Sequence, residues 1–310
     1  MGWTRLKWIL AAVLLAANLI LLYEIVIFHH SSAYLPQQSL EQVQLMLAEN
    51  GIAVAESAVD NKKNNLVIYE GTLGEDYYTR IAEKLSGSVT ELYFNTPNGV
   101  VMNMKNGDRF SFYDGFGIRY EAENAPDMEE PGALAERELL PLSAAEERAL
   151  KRTVSSFLAL AENGMGEAQL FRLSDEVVYT GEDPESGIRY CVCVQKARNT
   201  EILSLISAFA VQDGRVIGAS GTRCFAQLDT SYSAQLMDQV NILYSVKNRV
   251  QEERKENGVD VVVIESLRMK YASYFRSDSN RFYLIPVWHT EMNSGKDYTV
   301  NAVDGSLYTN

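Results

Sequence analysis

His289 is the only histidine beyond the first thirty residues. A Ser-His-acid triad needs a histidine base, so chemistry of that kind would have to run through this side chain. It stands in "PVWHT", a strand-like stretch in which Trp288 and His289 point to opposite faces. No nucleophile motif accompanies it, and we read it as a surface histidine on a sheet. "GASGT" at Gly218–Thr222 is not a G-x-S-x-G elbow, because Gly221 follows Ser220 directly; a strand with a bulge explains it better. "GEDPESG" at Gly181–Gly187 gathers three carboxylates. It lacks the alternating ligand spacing of an EF-hand loop and reads as an acidic hairpin loop. His29 and His30 sit beside an apolar run and read as interfacial. There is no phosphate-cradling glycine loop, and no pair of acids is set apart for glycosidase work. We therefore expect no catalytic residue, no cofactor and no metal.

The three cysteines are Cys191, Cys193 and Cys224. An odd count permits at most one disulfide within the chain. Cys191 and Cys193 share one face of a strand, because side chains alternate with period two. Either could meet Cys224 across a sheet, or all three could be buried and free. No zinc spacing is present.

The elements that must position these residues begin with an apolar run from Trp8 to Phe28, close to the ~20 residues that span a bilayer. Arg5 and Lys7 precede it, and no basic residue follows closely, so the positive-inside rule places the N-terminus in the cytoplasm and the rest outside. "SSA" at Ser31–Ala33 would serve as a cleavage site, but signal-peptide cores run to about 7–15 residues. We read an uncleaved anchor. Within it, Ala12 and Ala16 form a small-xxx-small pair, and Asn18 is a polar side chain in the span. Both features favour a partner helix, so Ala12, Ala16 and Asn18 are the candidate contact residues.

The 310-residue chain is 46% hydrophobic, enough for a sizeable core, and carries a net charge of −13. The first thirty residues hold only Arg5, Lys7 and Glu24, so the acidity belongs to the exported part. Nucleic-acid binding depends on Lys and Arg neutralising phosphates, and nucleic acid is excluded as a partner on that ground. Beyond the anchor (residues 1–30) we expect an α+β domain over 36–120, an acidic linker over 121–142, and a second α+β domain over 143–310 built of two helix-plus-meander units. Asn50-Gly51 should end a first helix, and Gly87 a second. Ser143 and Glu146 make a capping-box pattern, and a long helix should run from Ser233 to Asn257. Asn106-Gly107 and Asp213-Gly214 read as hairpin turns. Strands in succession with helices set apart argue for antiparallel sheets.

Three stretches carry a resemblance: "WTRLKWILAAVLLAANLILLYE", "GIRYCVCVQKARNTEILSLISAFAVQDGRVIG" and "YLIPVWHTEMNSGKDYTVNAVDGSLY". With these the chain resembles the YycI/YycH family, single-pass membrane proteins of Gram-positive bacteria. The resemblance implies a non-catalytic regulator of an essential cell-wall sensor histidine kinase. Its partners would be that kinase, a sister regulatory membrane protein, or both. The closing strands are also similar to PepSY-type domains. That alternative implies an envelope module that binds or inhibits a protease or cell-wall hydrolase. In both families the terminal hairpin completes a sheet.

A topological expectation follows from the charge asymmetry. A reporter fused after Tyr120 should be active only outside the membrane, and the mature protein should keep Trp3 and Trp8. A mature N-terminus near Tyr34, found by N-terminal sequencing, would remove the anchor.

Overall fold

The computed structural model describes residues 18, 37–59, 66–73, 76–96, 99–113, 116–123, 125–162, 173–226, 228–257, 262–276 and 278–308. The chain is α+β, with antiparallel pairing dominant. No helix among the described residues is long and apolar enough to cross a membrane. The expected span, with Ala12 and Ala16, lies outside those residues. Asn18 is described, as helical and exposed.

Local signals place the early elements. Helix α1 (Gln37–Glu49) buries Leu40, Val43 and Leu47, which share one face at a spacing of three and four. It stops where Asn50 Nδ2 donates to the Met46 carbonyl at 2.6 Å and Gly51 takes φ 70°, a left-handed cap that glycine adopts freely. Strands β1 (Ile52–Val54) and β2 (Val67–Thr72) follow, then α2 (Tyr77–Ser86), which ends at Gly87 with φ 91°. Strands β3 (Val89–Thr96), β4 (Gly99–Met104), β5 (Arg109–Tyr113) and β6 (Gly117–Glu121) form an antiparallel meander.

Helices α3 (Pro131–Glu136) and α4 (Ala144–Glu162) come next. The capping box of α4 forms as expected: the Ser143 N–H donates to Glu146 Oε2 at 3.0 Å, and the Glu146 N–H donates to Ser143 Oγ at 3.3 Å. Strands β7 (Ser174–Glu182), β8 (Arg189–Ala197), β9 (Thr200–Gln212), β10 (Arg215–Thr222) and β11 (Thr230–Ser233) follow. The β9–β10 turn has Asp213 at φ 50° and Gly214 at φ 73°, the pair of positive angles a two-residue hairpin requires. Helix α5 (Gln239–Asn257) and strands β12 (Val262–Arg276), β13 (Arg281–Met292) and β14 (Asp297–Asn301) close the chain.

Backbone packing divides the chain into two units. The first joins the described residues of 37–66, 235–268 and 288–308. Here β1 pairs parallel with β12, from Ile52↔Val262 to Val54↔Ile264, and β14 pairs with β13. Helices α1 and α5 are tied by Gln251 Nε2 donating to Asn50 Oδ1 at 2.5 Å, above buried Leu47, Leu243, Val246 and Val250. Helix α5 starts six residues later than expected. Asp238 Oδ1 accepts from the Asn241 N–H at 3.0 Å and caps it there, while Thr230–Ser233 form β11 instead.

The second unit joins the described residues of 67–234 and 269–287. Its strand order is β11, β2, β13, β12, β9, β10, β6, β5, β4, β3, and β8 and β7 branch from β9. Strand β6 pairs with β10, from Gly117↔Thr222 to Glu121↔Gly218, so the two regions expected as separate domains share one sheet. Segment 121–142, expected as a linker, packs instead. Met128 and Leu134 are buried with Tyr190, Val192, Ala208 and Ala210. Two glycines make the space: a Cβ on Gly218 would lie 2.6 Å from Met128 Cγ, and one on Gly181 would lie 2.4 Å from Leu139 Cβ. Acidic composition hid this, because the acids face outward and the few apolar residues face the sheet.

An ion pair between the buried Arg223 and the partly exposed Asp175 fixes the segment after β10. Arg223 donates from both terminal nitrogens to the Asp175 carboxylate, at 2.7 and 2.6 Å, and lies 5.9 Å from the Phe209 ring and 5.3 Å from the Phe225 ring. Beside it, Gln195 exchanges two hydrogen bonds with the backbone of Cys224, at 2.9 and 2.8 Å. Removing one partner of such a pair leaves a buried charge. Asp175→Ala should therefore lower stability by about 3 kcal/mol, read in urea with an unchanged m-value. Adding Arg223→Met should recover most of the loss. If Asp175→Ala alone is neutral, the pair does not anchor this segment.

Candidate functional site

The strands of the second unit present a groove of about 690 Å³ on one sheet face. Val192 and Val194 of β8 and Ile206 of β9 make its floor, Val178 stands at the β7 edge, and Pro131 and Ala135 of α3 form a wall. Its size and apolar floor are those of a ligand or peptide groove. Val178 is 54% exposed at a bulge between Val177 and Tyr179, and Tyr113 is 41% exposed at the far side. Gly221, at φ 107°, is required here: a Cβ would lie 2.4 Å from the Ile206 carbonyl oxygen.

The Thr222, Ser204 and Arg119 side chains of the groove are engaged with the fold. The Thr222 hydroxyl donates to the Ser204 carbonyl, and Ser204 Oγ lies 2.5 Å from Ser273 Oγ. Arg119 Nε donates to Glu121 and Nη2 to Asp127, both at 2.7 Å; the Glu121 bond holds the guanidinium charge most strongly. The arrangement suits the binding of an apolar surface, with Arg119 at one margin.

His289 is buried, which corrects the surface reading. Trp288 is buried too, with its indole N–H donating to the Met237 carbonyl at 3.0 Å, so β13 is covered on both faces. His289 Nδ1 is 3.1 Å from Thr299 Oγ1, and Nε2 lies 3.6 Å from Glu291 Oε1 and 3.7 Å from Asp297 Oδ2. The carboxylates are beyond hydrogen-bond length. Sequence reasoning missed this cluster. Its signal was a pair of i, i+2 spacings, His289 with Glu291 and Asp297 with Thr299, on strands that pair.

The other sequence candidates are structural. Ser220 donates its hydroxyl to the Glu129 carbonyl. In the acidic loop, Asp183 accepts from Ser186 Oγ at 2.5 Å and lies 3.2 Å from Arg137; the Ser186 bond chiefly lowers its pKa. All three cysteines are buried and free. Burial pushes the Cys224 thiol up to about 12. No three His, Cys, Asp or Glu side chains converge on a metal position among the described residues.

No family model and no curated protein matches the chain. Among solved structures, an uncharacterized protein from Eubacterium rectale ATCC 33656 is similar at a TM-score of 0.49 and 9% identity, covering 84% of this chain and 91% of that one.

His289→Ala should leave biological activity near the parent level and lower stability by about 1 kcal/mol, the worth of one hydrogen bond. Thermal melts and an activity assay on the same preparation check both. Lost activity with an unchanged melt would make the His289 cluster a reactive site.

Proposed function

We propose that the chain is a non-catalytic, membrane-anchored regulatory protein that modulates a two-component sensor kinase through its anchor helix and exported domain. The observation that carries the reading is the open, apolar-floored groove bordered by exposed Val178 and Tyr113. It favours a protein partner over a reacting substrate. The expected anchor and the YycI/YycH-like stretches support the kinase as that partner, with Asn18, Ala12 and Ala16 as the contact residues within the anchor. The strands β13 and β14 carry the second reading, a PepSY-like module binding or inhibiting a protease or wall hydrolase.

Cross-linking of the full chain in membranes separates these. Asn18→Leu should keep insertion and weaken partner association by ~1 kcal/mol, about five-fold. Ala12→Ile with Ala16→Ile should add a steric loss, and Val178→Asp should weaken association while leaving the fold stable. Normal regulation after replacing the whole anchor with an unrelated span would reduce it to a tether. Capture of a protease or hydrolase in place of the kinase would favour the second reading.

A further inference from the structure

On the sheet face opposite the groove, under α4, lies a second cavity of about 540 Å³. Cys193 lines it, together with Lys151, Val154 and Leu158 of α4. Cys191 Sγ is 3.4 Å from Cys193 Sγ, the two thiols standing side by side on one face of β8. Directly across the ladder, Cys193 pairs with Ser207 of β9. The Ser207 hydroxyl is fully buried and has no hydrogen-bond partner. Paired residues share a face, so this hydroxyl belongs to the thiol cluster. A buried hydroxyl left without a partner is costly, and a thiolate is an acceptor it could satisfy.

We propose that Cys191 and Cys193, supported by Ser207, bind one soft monovalent cation of the Cu(I) type. Thiolates select soft ions over hard ones. The donor number narrows the choice further. A structural zinc site needs four ligands, and no three His, Cys, Asp or Glu converge here among the described residues. The nearby carboxylates are already engaged: Asp175 with Arg223 at 2.6 Å, and Glu176 with Lys196 at 2.5 Å. Two thiolates suffice for Cu(I).

The balance is simple. Two S–H bonds break, two Cu–S bonds form, both protons leave to solvent, and no electron moves. The product carries one negative charge; Lys151, whose ammonium pairs with Glu147 at 2.5 Å, lines the same cavity and its field reaches Cys191. Without metal, the hydrogen bond with Cys193 and burial raise the Cys191 pKa and keep that thiol neutral. Rotation of Cys193 into the cavity it lines gives the two sulfurs room to separate around an ion.

The test uses the full chain in detergent under anaerobic conditions, with Cu(I) supplied against bicinchoninate as a competing chromophore. The parent and Cys224→Ser should each take up one Cu(I) per chain with release of two protons, while Cys191→Ser and Cys193→Ser take up none above background. Ser207→Ala should keep the stoichiometry and weaken affinity by about tenfold. X-ray absorption should show sulfur neighbours only. Cys193→Val preserves apolar volume, and its thermal melt separates lost binding from lost folding. Equal copper uptake by a folded Cys193→Val chain, oxygen or nitrogen neighbours, or preference for Zn(II) would overturn the assignment.

Discussion

The pairing of β9 is the constraint on which the second unit depends. Every buried N–H and C=O along its thirteen residues needs a partner. It finds them in β8 on one side and β10 on the other, with β12 joining at Tyr271↔Ile202. Its side chains then divide between two faces. Ser204, Ile206, Ala208 and Ala210 meet the groove and the packed segment around Leu134. Ser207 and Phe209 point the other way, toward the thiols and toward Phe157 of α4, whose ring is 6.5 Å from that of Phe209. Its neighbour β8 lines both cavities, with Val192 and Val194 in the groove and Cys193 and Lys196 in the second.

Signals that act within a few residues were legible before the structure. Asn50-Gly51, Ser143 with Glu146, and Asp213-Gly214 each carry their own hydrogen bonds or backbone angles, so nothing distant can change their meaning. The alternation that put Cys191 and Cys193 on one face held for the same reason. Burial was less legible, because it is set by what arrives from elsewhere in the chain. His289 looked exposed since its strand could not announce that both faces would be covered. Segment 121–142 looked like a linker since its acids outnumber Met128 and Leu134, and the glycines that receive it stand at 181 and 218. The groove was invisible because its lining comes from several strands, with one or two residues from each.

Charge follows the same logic of place. Most acids lie on the surface, where pairs such as Arg80 with Asp76 at 3.2 Å are exposed and contribute little. Arg223 differs because its side chain is 1% exposed and stacked between two rings. Its position is specified by geometry more than by attraction. A planar fork fits both the carboxylate and the ring faces, which an ammonium would not do.

The ladder between β2 and β13 joins Tyr69 to Leu284, more than two thirds of the chain's length apart. Strand β2 also pairs with β11, from Val67↔Ser233 to Glu70↔Thr230. A strand made early in synthesis therefore waits for two made late. Loop closure over such distances is slow, and until it occurs the apolar side of β2, with Tyr69, has no cover. Strand β2 can be completed within its sheet only after the chain has been made through Leu284.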